Sequence, residues 1–297
     1  MDCFRLSNGS EIPALCFGPG IMVRGLRPSK TLIEKIKNRI KLRYIEKTYY
    51  NAILHGIKAG IRFIDYSASY GREDLICRAI KECGVDRKEF VLTTRISNQA
   101  QFCNNVRDSF FKSLEKYGTD YIDILMFHWP VTGFYEKTWL EMIKLQQEGF
   151  CKILGVANCH EHHIEHLFEE SNVMPSINQV EIHPLLTQKK LLSYCKERHI
   201  QVEAYTPIAR FDERLVRLPL LQKMSERYNK SIAQLILRWH IQNGVIPVFR
   251  SLNPYRLQEN TSIFDFVLSD EDMKAIDAIN IDSRLRYNPD NCDFTIL

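Results

Sequence analysis

The sequence contains no Pro-, Gly- or Ser-rich linker, no Cys-x-x-Cys spacing, and no apolar run near the roughly 18 residues of a membrane span. Without a linker there is no natural place to divide the chain into two domains. The missing cysteine spacing argues against zinc or redox chemistry, and the odd total of nine cysteines is read as reduced thiols rather than a disulfide framework. The opening segment MDCFRLSNGS has no apolar core set between a basic start and a small-residue cleavage site, so a cytoplasmic address without a membrane partner is expected. Also absent is a full Gly-x-Gly-x-x-Gly. The first strand-to-helix junction reads Phe17-Gly18-Pro19-Gly20, which counts against an open doubly wound dinucleotide fold.

What is present is the balance of a globular chain. Of 297 residues, 45% are hydrophobic and 26% charged, enough apolar side chain for a large core and no sign of disorder. The net charge of +4 is unevenly placed: residues 21 to 47 carry nine Lys or Arg against two Glu, so the rest of the chain is slightly acidic. One local basic feature on an acidic body argues against a general nucleic-acid surface.

Periodicity organises the chain. Asn8-Gly9 between Phe4-Arg5-Leu6 and Glu11-Ile12 signals a short hairpin. Eight strand candidates then follow, at residues 14–18, 62–67, 90–95, 122–128, 152–158, 176–182, 201–206 and 245–249. Helix-length segments separate them. Residues 105–117 place Val106, Phe110, Ser113, Leu114 and Tyr117 on one stripe, and residues 188–198 do the same with Leu191, Leu192 and Cys195. Strands alternating with helices pair in parallel through right-handed crossovers, and eight such units close a sheet without edges. The expected fold is α/β: one (β/α)8 TIM barrel over residues 1–297, with a short N-terminal β-hairpin, a basic insertion at about 21–47 and a C-terminal tail at about 281–297.

Sites in such barrels form at the carboxyl ends of the strands, so polar residues that finish apolar runs are the candidates. Asp65 interrupts Arg62-Phe63-Ile64-Asp65-Tyr66, and Tyr70 follows in the next loop. Arg95 ends Val91-Leu92-Thr93-Thr94-Arg95, and His128 ends Ile124-Leu125-Met126-Phe127-His128. Singly, each has a structural explanation as a hydrogen-bonded residue or half of an ion pair. Together, an aromatic hydroxyl, an imidazole, a cation and a carboxylate on successive units of one barrel make a catalytic group worth testing.

These segments resemble the aldo-keto reductase family. The likeness rests on Gly60-Ile61-Arg62-Phe63-Ile64-Asp65, Tyr70-Gly71-Arg72-Glu73, Asp123 through Pro130, and Ile177-Asn178-Gln179-Val180-Glu181-Ile182-His183-Pro184, and runs in family order from about residue 4 to about residue 280. The resemblance implies hydride transfer from NADP(H) to a small-molecule carbonyl, with Tyr70 as proton donor, His128 orienting the carbonyl, and a cation paired to Asp65. In the family that cation is lysine; here it is Arg95. Arginine keeps the charge, but its planar head group is not a geometric substitute for an ammonium and cannot relay a proton.

The same resemblance assigns cofactor contacts. Tyr205 matches the residue that stacks on the nicotinamide, with Thr206 beside it, and Asn158 and Gln179 match the carboxamide ligands. Ala157 stands where the family usually has serine. Arg250, Ser251 and Leu252, followed by Arg256, Glu259 and Asn260, resemble the stretch that holds the 2′-phosphate and adenine, with Arg250 in place of a lysine; two surface arginines at a helix start is the competing reading. Trp129 offers a flat wall for substrate, and Arg284, Arg286 and Tyr287 in the tail either meet a polar substrate or are solvated.

Within the basic insertion, Ile33, Ile36 and Ile40 recur at helical spacing, predicting an amphipathic helix that is either a lid or docking surface, or a solvated lengthening of the first helix. Two functions are consistent with the whole: an NADPH-dependent reductase of aldehydes or ketones, such as a sugar or other polar carbonyl, and an NADP(H)-binding regulatory protein whose turnover is weakened by Arg95. No metal is expected, and the natural substrate, reaction direction and oligomeric state are open.

Overall fold

The structure, a computed structural model, describes residues 2–20 and 31–296. Strands β1 (Cys3–Arg5) and β2 (Glu11–Pro13) form the antiparallel hairpin. The chain then lays down β3 (Cys16–Phe17), β4 (Phe63–Asp65), β5 (Val91–Ile96), β6 (Ile122–Phe127), β7 (Cys151–Ala157), β8 (Ile177–Glu181), β9 (Gln201–Tyr205) and β10 (Val245–Phe249). These eight close in sequence order, β10 pairing with β3, every neighbour parallel. The expected barrel and hairpin are both present.

The helices begin and end where local chemistry dictates. Ser231 and Gln234 form a reciprocal capping box ahead of Ile232–Gln242, and Ser269 caps Asp270–Asp277. The helix Val106–Tyr117 buries the predicted stripe of Val106, Phe110, Ser113, Leu114 and Tyr117, and stops at Gly118, whose φ of 58° suits a residue without Cβ.

Inside the barrel, residues two apart on a strand share a face. Inward positions are apolar at the amino-terminal end, where Phe63, Ile124, Ile153, Ile177 and Ile246 cluster and the hairpin's Leu6 and Ile12 plug the opening. Further along β4, β5, β8 and β9 the interior turns polar, with Asp65, Arg95, Gln179 and Glu203 all buried. A second, larger core of aliphatic and aromatic side chains lies between the sheet and the helices. The hydrophobic effect thus closes three sides of the barrel and leaves its carboxyl end for polar groups.

The first helix, α1 (Leu32–Lys58), absorbs the described part of the basic insertion, whose residues 21–30 lie outside the described range. Its buried residues begin only at Tyr49. Ile33, Ile36 and Ile40 are 66%, 52% and 63% exposed, so the apolar stripe forms but packs on nothing among the described residues. Glu46 pairs with Arg72 at the barrel's catalytic end. Most of the residues before it, from Leu32 to Tyr44, are exposed. Among the described residues, this segment lengthens α1 as a mostly exposed stretch.

Candidate active site

The polar layer is built around Arg95. Its guanidinium, 3% exposed, donates to Asp65 Oδ1 at 2.5 Å, to Gln179 Oε1 at 2.6 Å and to the carbonyl of Tyr66 at 3.0 Å. The register of β8 on β9 sets Gln179 opposite Glu203, and the Gln179 amide donates to Glu203 Oε2 at 2.6 Å. One buried cation therefore faces two carboxyl groups. Burial, reinforced by the nearby Asp65, pushes the Glu203 carboxyl up to about 8, so near neutral pH Glu203 is largely protonated beside the Arg95–Asp65 pair. Sequence reasoning passed over Glu203, although an acid inside Val202-Glu203-Ala204-Tyr205 was visible as a polar interruption on an inward position.

Above this layer sit Tyr70 and His128, ring centroids 6.3 Å apart and edge to face. Tyr70 ends a short 3-10 turn (Ala68–Tyr70) started by Ser67, whose hydroxyl accepts the Ser69 N–H. The Tyr66 hydroxyl donates to the carbonyl of Gly71, and its ring packs edge-on against Tyr70 at 5.5 Å. Gly71 and Arg72 follow with φ of 67° and 73°. The left-handed turn costs Gly71 nothing, and Arg72 is held there by Asp74 and Glu46. Burial, with Arg95 and Arg286 adding repulsion, pulls the His128 imidazole down to about 3. Near neutral pH His128 is therefore uncharged and can donate or accept a hydrogen bond. Among the described residues, neither its side chain nor the Tyr70 hydroxyl has a hydrogen-bond partner, and both residues are half-buried near the carboxyl end of the barrel.

The remaining predicted residues divide. Asn158, with φ of 61°, donates to the His128 carbonyl at 2.9 Å and accepts from the Tyr205 hydroxyl at 2.7 Å. Asparagine is among the few residues that tolerate that backbone region. Gln179 is less available than expected, because both ends of its carboxamide are engaged by Arg95 and Glu203. Ala157 is buried and lies in register with Gln179, offering no hydroxyl. Thr206 adopts φ of 49°, and its hydroxyl is buried without a partner among the described residues. Ala209, Arg210 and Phe211 just beyond it also take positive φ, a run of strained non-glycine residues in the loop leaving β9.

Further round the rim, Arg250 donates to the Tyr49 hydroxyl at 2.6 Å, and Arg256 lies 5.7 Å from the centre of the Phe211 ring. Arg256 stands in the first turn of the helix Pro254–Thr261, whose cap Asn253 accepts the Tyr255 and Arg256 N–H groups. Ser251 is spent on Asn253, Leu252 is 38% exposed, Glu259 is half-buried and Asn260 is buried. Arg256 thus lies against the left-handed loop and Arg250 against Tyr49, and both residues are exposed.

The C-terminal tail is ordered across the mouth by a residue that the sequence reading did not single out. Glu181, 1% exposed, accepts the backbone N–H groups of Leu285 at 2.6 Å and Arg286 at 3.0 Å, and pairs with His183 at 3.0 Å. Phe294 packs on Trp129 at 6.4 Å, and Asn98 donates to its carbonyl. Trp129 is therefore only 3% exposed, a wall with the tail against it.

Among the described residues, which include all nine cysteines, no disulfide forms and no helix is long and apolar enough to cross a membrane. Comparison with known proteins agrees with the geometry. The family model "Aldo/keto reductase family" matches residues 37–281. A glyoxal reductase of Bacillus subtilis (strain 168) is 39% identical over 293 residues, 99% of this chain and 98% of that protein. A methylglyoxal reductase of Escherichia coli (strain K12) is 34% identical over 241 residues, 80% of this chain and 87% of that protein. The crystal structure of a Bombyx mori aldo-keto reductase in complex with NADP superposes with a TM-score of 0.84 at 30% identity, covering 97% of this chain and 96% of that one. The chain is an oxidoreductase belonging to the aldo/keto reductase family.

Proposed function

We propose that this protein reduces a small polar aldehyde or ketone, of the α-oxoaldehyde type named for its relatives, to the alcohol with NADPH. The observation that carries the reading is the pair Tyr70 and His128, edge to face and both without a hydrogen-bond partner among the described residues, at the same end of the barrel as the buried Arg95–Asp65 ion pair. The cofactor fits the residues present. The Thr206 hydroxyl is a buried orphan beside the left-handed loop, Tyr205 offers a ring held by Asn158, and Arg250 and Arg256 supply two guanidiniums suited to bidentate contact with a phosphate. When bound, a reduced nicotinamide supplies hydride to the carbonyl carbon.

The chain's own residues do the rest. His128, held neutral, donates one hydrogen bond to the carbonyl oxygen and fixes which face is presented. Tyr70 gives its hydroxyl proton to the same oxygen as negative charge develops there, completing the alcohol. The positive charge of Arg95 lies within electrostatic reach of Tyr70 and favours the phenolate left behind. Tyr66, packed on Tyr70, fixes the donor's approach, and the tail holding Phe294 against Trp129 restricts water at the mouth.

The competing reading, an NADP(H) sensor with little turnover, is favoured by Arg95 using its donors on Asp65, Tyr66 and Gln179 rather than on Tyr70. The test is absorbance loss of NADPH with glyoxal, methylglyoxal and a panel of aldehydes, ketones and sugars, for wild type and Tyr70→Phe. Turnover by wild type that vanishes in Tyr70→Phe, with NADPH binding retained, is expected. NADPH binding without turnover on any carbonyl would select the sensor.

A further inference from the structure

Away from the reaction centre, three histidines lie within four residues at the start of the helix Glu161–Ser171, and a carboxylate from the C-terminal tail reaches them. His160 Nδ1 is 2.8 Å from Asp290 Oδ2, and His162 Nε2 is 3.4 Å from Asp290 Oδ1. One nitrogen from each ring and a carboxylate oxygen all fall within 4.8 Å of one another. The sequence distance between the two parts is 130 residues, so this grouping exists only in the folded chain.

We propose that His160, His162 and Asp290 bind a divalent transition-metal ion that prefers imidazole, Zn²⁺ in the first instance, and that the ion fastens the tail to the catalytic end of the barrel. Two imidazoles and one carboxylate are a borderline-soft donor set that suits Zn²⁺ and is poorly matched to Ca²⁺ or Mg²⁺. Ligand bonds of about 2.0–2.1 Å in a tetrahedron place ligand atoms roughly 3.4 Å apart. The two contacts with Asp290, made to different carboxylate oxygens, are 2.8 and 3.4 Å, the three ligand atoms lie within 4.8 Å of one another, and His162, 64% exposed, is free to close the remaining gap.

The surroundings are those of a supported site rather than a chance ion pair. His163 Nδ1 accepts the His160 backbone N–H at 3.1 Å, which leaves the proton on Nε2, 3.9 Å from Asp290 Oδ1 and placed to steady that oxygen from outside the ligand set. The His162 and His163 rings lie 4.0 Å apart and 36° from parallel. Arg284 donates to His160 Nε2 at 3.1 Å and to Gln188 Oε1 at 3.3 Å. Metal on Nδ1 moves the ring proton to Nε2, so Arg284 must then rely on Gln188, and a change at Arg284 accompanies binding.

Position gives the site its consequence. His160 follows Asn158 by two residues, and Asp290 lies between the Glu181-anchored segment Leu285-Arg286 and Phe294 on Trp129. A metal there makes a third fastening in the stretch of tail that crosses the mouth. Three protein ligands leave a fourth position for water.

The experiment is calorimetric titration of Zn²⁺ into the chelator-treated full chain, beside His162→Ala and Asp290→Asn, with limited proteolysis of the tail with and without Zn²⁺. One Zn²⁺ per chain is expected, weakened at least tenfold in either variant, together with tail protection that wild type gains and the variants do not. Co²⁺ in place of Zn²⁺ reports the donors: a near-ultraviolet thiolate band would put the ion on cysteines and overturn the assignment. So would unchanged affinity in both variants, absence of binding by wild type, or tail protection that survives in Asp290→Asn.

Discussion

Arg95→Lys should raise kcat for aldehyde reduction while lowering stability. The guanidinium makes three hydrogen bonds, to Asp65, Gln179 and the Tyr66 carbonyl, and none to Tyr70. An ammonium is a compact charge with three donors, able to sit on Asp65 and approach the phenol together. As a general scale, at an effective dielectric of about 20 a unit charge that closes from about 6 Å to about 4 Å on a phenolate gains about 1.4 kcal/mol. If most of that reaches the transition state, kcat rises about threefold to tenfold. The loss falls elsewhere, since lysine cannot also satisfy both the Tyr66 carbonyl and Gln179. One buried acceptor without its donor costs about 1–3 kcal/mol, a fall of a few degrees in Tm. Steady-state rates at saturating NADPH, with deuterated cofactor to establish that chemistry limits turnover, measure the first effect, and thermal melts the second. Loss of activity in Arg95→Lys would show a site rebuilt around arginine and refute the reasoning. An unchanged kcat with lowered Tm would show that the cation at 95 holds the barrel together and does not act on Tyr70.

Other predictions follow from neighbouring groups. Glu203 keeps its proton in the fold up to about pH 8 whereas an unperturbed glutamate loses it near 4.5, so its contribution to stability is full below about 4.5 and is lost as pH rises through about 8. Glu203→Gln should therefore show a shallower fall in denaturant midpoint across that window; parallel curves would mean that Glu203 does not titrate there. Glu181→Ala leaves the Leu285 and Arg286 N–H groups without their acceptor and should speed proteolysis of the tail and raise substrate KM severalfold, with NADPH affinity little changed. Arg250→Ala with Arg256→Ala should erase a preference for NADPH over NADH of about tenfold or more, read by fluorescence titration; a wild type that binds both equally would remove the assigned role of the two arginines.

The sequence by itself determined the barrel, because alternating period-2 and helical patterns leave few ways to bury both faces of a parallel sheet. Val245–Phe249 forms a strand over its predicted bounds, and the stripe read from residues 105–117 is the buried face of that helix. It also picked out Asp65, Tyr70, Arg95 and His128, since each is a polar residue at or just after the end of an apolar run. What the sequence did not show is how those groups share hydrogen bonds across the barrel. That Arg95 also engages Gln179 depends on strands 84 residues apart, and the second carboxyl at Glu203 enters only through the pairing of β8 with β9. The isoleucines of α1 have a core-like spacing yet stand in solvent, because spacing fixes which residues share a helical face and only tertiary packing decides whether anything covers that face. The tail was equally undecided, because its anchor is a carboxylate on a distant strand that accepts backbone N–H groups, and every residue except proline offers one. Local periodicity governs which elements form; charge compensation in a closed interior, which only the assembled barrel creates, governs what the polar residues do.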